Sequence, residues 1–121
     1  VTLRLLVFGG RDYPNQERVF AVLDALDRLL PLTIIEGGCR RGEDKSADYF
    51  AFLWATARGR VCHTEEAQWG LFGGSAGPIR NQRMIDKYRP HLGLGFPGGN
   101  GTADMAARLE AAHTPTIRSM T

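Results

Sequence analysis

Cysteine is scarce in this chain of 121 residues, with only Cys39 and Cys62 present. They show no C-x-x-C spacing and no partnering histidine cluster, so neither a zinc site nor a disulfide framework is indicated, and a reducing cytosolic compartment is expected. Long apolar runs are missing too. No stretch approaches the roughly 18 residues that a membrane span requires. The opening "VTLRLLVF" is too short for a secretory signal and carries Arg4 in its middle. The expectation is a cytoplasmic protein with no membrane partner. Charge of one sign is not in excess: 15 Lys and Arg against 13 Asp and Glu leave a net +2. That balance is too mild for wrapping nucleic acid by counterion release, and no basic, aromatic stripe suits single-stranded binding. Three catalytic signatures are absent as well: there is no G-x-x-x-x-G-K-[ST] phosphate loop, no G-x-S-x-G elbow and no metal-spaced histidine pair. His63, His91 and His113 are scattered and read as structural. No metal and no cofactor is expected.

Glycine, by contrast, is plentiful, with 15 residues gathered in a few clusters, and the clusters follow a rhythm. "LRLLVF" (3–8) is a short apolar run ending in Gly9-Gly10. After it Val19, Phe20, Leu23, Leu26 and Leu30 recur at helical spacing. "LTIIE" (32–36) repeats the run and ends in Gly37-Gly38, ahead of a helical face made of Ala47, Phe50, Ala51 and Trp54. "GRVCH" (59–63) is a weaker third strand. The glycine-rich stretch from Gly70 to Gly77 leads through Pro78 into a helix carrying Met84, Ile85 and Tyr88. "HLGLGF" (91–96) is the fourth strand, Ala106, Leu109 and Ala112 mark a last helix, and "TPTIRSM" supplies a fifth strand with Pro115 at its start or at an edge. Strands alternating with helices in units of this length imply one α/β domain over 1–121: a Rossmann-like three-layer sandwich, with a mostly parallel five-stranded sheet in the order 3-2-1-4-5 and helices on both faces. Ligands of such sheets bind outside the carboxyl ends of the strands, where the order reverses. The loops after residues 8, 36 and 96 emerge there.

Each loop carries chemistry that can be read two ways. In "GGRDYPN", Gly9 and Gly10 expose backbone N–H groups and Arg11 can pair with a phosphate; the plainer reading is a turn, with Asp12 or Asn15 capping the next helix. "EGGCRRGED" repeats the arrangement: Gly37, Gly38, Gly42 and Arg40 or Arg41 make a candidate anion nest. In it Asp44 either caps a helix or binds ribose hydroxyls, Cys39 is an ordinary small residue, and Glu36 is a surface carboxylate or a general base. Trp69 and Phe72 can stack on a base, close as a lid or seal the core edge. Arg80 and Asn81 are expected on the first turn of the helix after Pro78, where a cation opposes the macrodipole and hints at a ligand. In "FPGGNGTADM", Gly98, Gly99 and Gly101 form a phosphate cradle, with Thr102 near the helix N-cap and Asp104 in the first turn. The overlapping "GLGFPG" (93–98) matches G-x-G-x-x-G only by straddling a strand, so it is no dinucleotide fingerprint.

Together "GGRDY", "GG" with "RGED", "W…GGSAGPIRNQRM" and "FPGGNGTADM" resemble the DUF2493 family, a YspA-type, YpsA-related branch of the SLOG superfamily. That superfamily also holds the LOG phosphoribohydrolases and the DNA-processing protein DprA. The family pattern in the second loop usually reads H-G-G-A-R-G-A-D; here Glu36 replaces the His and an extra residue precedes Arg41-Gly42-Glu43-Asp44. The resemblance implies a small nucleotide-type ligand, either bound or sensed, or alternatively an N-glycosidase acting on nucleoside 5′-monophosphates. In the second case the matching catalytic positions are Arg80 and Asp104. LOG proteins carry two acidic residues after the glycine motif, whereas here Met105 follows Asp104. The resemblance also implies a homodimer, with Phe50, Trp54 and Tyr88 as seam or as core.

Overall fold

A computed structural model describes residues 1–39 and 45–121. Strand β1 (Leu3–Phe8) leads to helix α1 (Gln16–Leu29), then β2 (Leu32–Glu36), α2 (Ala47–Arg58) and β3 (Cys62–Thr64). The second half holds the short α3 (Trp69–Phe72), a 3-10 turn at Gly73–Ser75, α4 (Ala76–Tyr88), β4 (Leu92–Gly95), α5 (Asn100–Ala111) and β5 (Thr116–Arg118). The sheet order is β3-β2-β1-β4-β5. All four pairings are parallel, so the sheet is wholly parallel where a mostly parallel one is expected. β3 begins three residues later than the apolar pattern suggests.

The alternation of side chains along β1 builds both outer layers. Leu5 and Val7 pack with Val19 and Leu23 of α1 and with Phe50, Ala51 and Trp54 of α2. Leu6 and Phe8 point the other way, onto Met84 and Ile85 of α4 and Met105 and Leu109 of α5. β1 is therefore apolar at consecutive positions because it is covered on both faces. Each fully buried aliphatic side chain there contributes about 1.5–3 kcal/mol. Phe50 and Trp54 are core and take no part in a subunit seam, while Tyr88 is half-buried and donates its hydroxyl to Glu65 at 2.9 Å.

Caps divide the helices into two kinds. Asn15 accepts from the N–H of Arg18 at the head of α1, and Ser46 accepts from Tyr49 at the head of α2. Each of these helices also has a carboxylate in its first turn, Glu17 and Asp48. The head of α5 has neither: Gly99 is its N-cap, no side chain bonds there, and the first turn is free of acidic residues. Between β3 and α4, residues 68–75 are all exposed.

Candidate functional site

Where the sheet order reverses, a cavity of about 360 Å³ opens at the carboxyl edge. Its floor is the end of β1, Val7 and Phe8, followed by Gly9, Arg11 and Asp12. Gly37 and Cys39 after β2, with Asp48 of α2, form one wall. Arg80, Asn81 and Met84 of α4 and Gly99–Thr102 with Met105 of α5 form the other. The site thus draws on both helical layers, with β1 between them.

Most of the expected residues meet here. Gly9, Arg11, Asp12, Gly37, Arg80, Asn81, Gly99, Gly101 and Thr102 all line the cavity. Gly10 and Gly98 stand behind its wall and serve the backbone: the N–H of Gly10 donates to the carbonyl of Pro97 at 2.9 Å. A Cβ on Gly98 would lie 2.6 Å from that nitrogen, so the two loops touch only because both residues lack a side chain. Gly38 donates its N–H to Glu36 at 2.7 Å and is also outside the lining. Arg41, Gly42 and Asp44, with Arg40 and Glu43, lie outside the described residues.

Several roles need correction. Asn15, rather than Asp12, caps α1, which leaves Asp12 to the cavity. Ser46 caps α2, the part offered to Asp44. Glu36 is neither a surface carboxylate nor part of the cavity wall: it is completely buried and accepts from Gly38, from the Thr64 hydroxyl and from the Cys62 thiol. Trp69 and Phe72 are partly exposed and outside the lining. Arg80 and Asn81 are the fifth and sixth residues of α4, in its second turn. The macrodipole penalty fades beyond the first turn, so the hint read from an unfavourable charge lapses. What ties Arg80 to the site is bonding: its Nη1 donates to the Gly37 carbonyl at 2.5 Å and its Nε to Asn81 Oδ1 at 3.0 Å. Thr102 is the third residue of α5, within the first turn after the Gly99 cap, whereas Asp104 is the fifth and stands beyond the first turn.

Asp104 is also outside the cavity lining. Its Oδ2 accepts from Asn81 Nδ2 at 3.0 Å and from Arg108 Nε at 2.8 Å. Burial raises its carboxyl, but the donors Arg108 and Asn81 outweigh that and hold it below the ordinary range.

Asp48 is the residue that sequence reasoning missed. It is nearly buried, lines the cavity, and accepts the N–H of Cys39 through Oδ2 at 3.2 Å. No local signal marks it: a carboxylate in the first turn of a helix is ordinarily read as a partner of the macrodipole. Among the described residues of the lining the cations are Arg11 and Arg80 and the carboxylates are Asp12 and Asp48.

A family model described as the YspA, cpYpsA-related SLOG family matches residues 3–72. The chain belongs to that family. No curated protein matches it. The match to the SLOG family covers β1 through α3 and hence Gly9, Arg11, Asp12, Gly37 and Asp48. In this SLOG-family chain the opposite wall, with Arg80, Asn81 and the head of α5, is joined to them by the fold. No helix among the described residues is long and apolar enough to cross a membrane.

Proposed function

We propose that the cavity binds a nucleotide or nucleotide-derived ligand, and that binding or sensing is its task. The observation that carries this reading is the uncapped head of α5, free of acidic residues and lying in a cavity with two arginines. The first N–H groups of a helix have no partner within it, and the macrodipole adds partial positive charge, so an anion there satisfies both. A phosphate on Gly99–Thr102 brings its remaining oxygens toward Arg11 and Arg80, whose guanidinium groups form charge-assisted bonds. Asp48 and Asp12 are acceptors suited to sugar hydroxyls. At about 360 Å³, the cavity is at the small end of the usual range for ligand sites, roughly 300–1,000 Å³, which suits one mononucleotide unit better than a dinucleotide.

The glycosidase alternative requires a carboxylate beside the bond to be broken. Asp104, the position that the family resemblance offers for it, is spent on Asn81 and Arg108 outside the cavity lining, which favours binding without turnover.

Incubation with AMP, GMP, CMP, UMP or ADP-ribose, followed by chromatography and by thermal shift, separates the two. A melting temperature that rises with nucleotide and less with the matching nucleoside, without release of base, is the expected result. Free base would overturn the binding-only reading. Losing a hydrogen bond to a charged group costs about 1.5–3 kcal/mol, so Arg80→Met weakens nucleotide binding by roughly 10- to 100-fold. Unchanged affinity in a folded Arg80→Met protein refutes the placement of the phosphate.

A further inference from the structure

A relay of polar side chains runs from the back of α5 to the cavity. Asn81 is buried, and its Nδ2 faces two oxygens, Asp104 Oδ2 at 3.0 Å and the Gly101 carbonyl at 3.3 Å. Both are acceptors, so only the NH₂ end of the amide can turn toward them. The amide oxygen must then face α4, where it accepts from Arg80 Nε. Arg80 Nη1 is in turn held on the Gly37 carbonyl. The guanidinium is thereby fixed along two of its edges, and the donors of Nη2 remain for a ligand. Flipping the amide would set three oxygens against one another at one end and the amide NH₂ against the Arg80 Nε–H at the other, leaving the buried Asn81 amide unsatisfied at both ends.

We infer that Asp104 is a positioning residue: by accepting from Asn81 it selects the amide orientation that aims Arg80 into the cavity, and it does not itself touch the ligand. Arg108 holds the carboxylate in place through an ion pair at four-residue spacing and is tied to Gln82 Oε1 at 3.1 Å. Its contribution is secondary, because Asp104 reaches Asn81 without it. The effect on affinity rests on the nucleotide reading above; the relay itself does not.

Asn at position 104 keeps an acceptor of the same size without the charge, whereas Leu removes the acceptor. A reacting or charge-stabilising carboxylate is disabled by both changes, but a positioning acceptor only by the second. Asp104→Asn is therefore expected to bind AMP within a few-fold of the wild type, and Asp104→Leu about 10-fold more weakly. Asn81→Leu repeats the loss, and the double variant Asn81→Leu/Asp104→Leu is no weaker than either single one, because both cut the same chain. Arg108→Met leaves affinity nearly unchanged. If Asp104→Leu does not fold by near-UV circular dichroism, Asp104→Ala takes its place.

Side-chain ¹⁵N–¹H NMR of the ligand-free protein gives an independent readout. The Asn81 NH₂ and Arg80 Nε–H signals stay protected in Asp104→Asn and lose protection in Asp104→Leu or Asp104→Ala. Equal loss in Asp104→Asn and Asp104→Leu, additive losses in the double variant, or unchanged NMR signals in a folded Asp104→Leu protein would overturn the inference. If the wild type binds none of the nucleotides, the nucleotide reading fails, and the NMR series alone decides the relay.

Discussion

Asp24 of α1 accepts from the indole N–H of Trp54 at 2.8 Å and, in a bidentate pair, from Nε and Nη2 of Arg58 at 2.9 and 3.0 Å. Trp54 is completely buried, so its N–H has no water to fall back on. Asp24→Ala strands that donor and is expected to lower stability by about 1–3 kcal/mol, measured by urea unfolding at neutral pH. Asp24→Asn keeps an acceptor and costs much less, since the pair with Arg58 is exposed and of the kind worth about 0–1 kcal/mol. The donor Arg58, and then Trp54, hold the Asp24 carboxyl at about 2 against an ordinary 3.8. With the folded value below the unfolded one, the carboxylate stabilises the fold above 3.8, and this contribution is lost as pH falls toward 2. The gap between Asp24→Ala and wild type should therefore narrow over that window. At this scale the sequence yields residue types near glycine loops, and so Arg11, Arg80 and Thr102 were legible. Asp48 and Glu36 were not, because nothing local distinguishes a carboxylate turned into a cavity from one buried between strands. That depends on which neighbours offer donors, here Cys39 for one and Gly38, Thr64 and Cys62 for the other.

Elements were the most legible level, since apolar runs of four to six residues set between helical periods leave little choice but a parallel sheet. What the pattern misplaced was helix heads. Pro78 suggested the start of α4, but Gly73–Ser75 already winds as a 3-10 turn and passes directly into Ala76. Gly98 is held against Gly10, so α5 starts at Asn100 and its first turn is complete before Asp104. β4 shows why the false dinucleotide fingerprint exists. A Cβ on Gly95 would stand 2.6 Å from the Phe8 ring and 2.9 Å from Arg118, and one on Gly93 would stand 2.8 Å from Leu109. These glycines make room for the neighbouring strands and α5 rather than for a ligand. Gly95→Ala should then cost about 1–3 kcal/mol of stability through overpacking, read as a lower urea midpoint with an unchanged slope. A neutral Gly95→Ala would show that Phe8 and Arg118 give way freely.

Across the whole molecule, β1 is the member that both halves share. It pairs with β2 on one side and β4 on the other, and the cavity sits at its end with walls from both helical layers. The covalent link between the halves, residues 68–75, is exposed along its full length and offers Trp69, Leu71 and Phe72 to a protease that cuts after large apolar residues. Chymotrypsin should cleave there before it reaches the aromatic residues of the core, as mass spectrometry of a timed digest would show; early cuts at Phe50 or Trp54 would contradict the packing described. A chain cut in that link becomes a two-piece protein joined by the β1–β4 ladder and by whatever occupies the cavity. Its ligand then acts as a rivet: dilution should separate the pieces when the cavity is empty and fail to do so when it is filled.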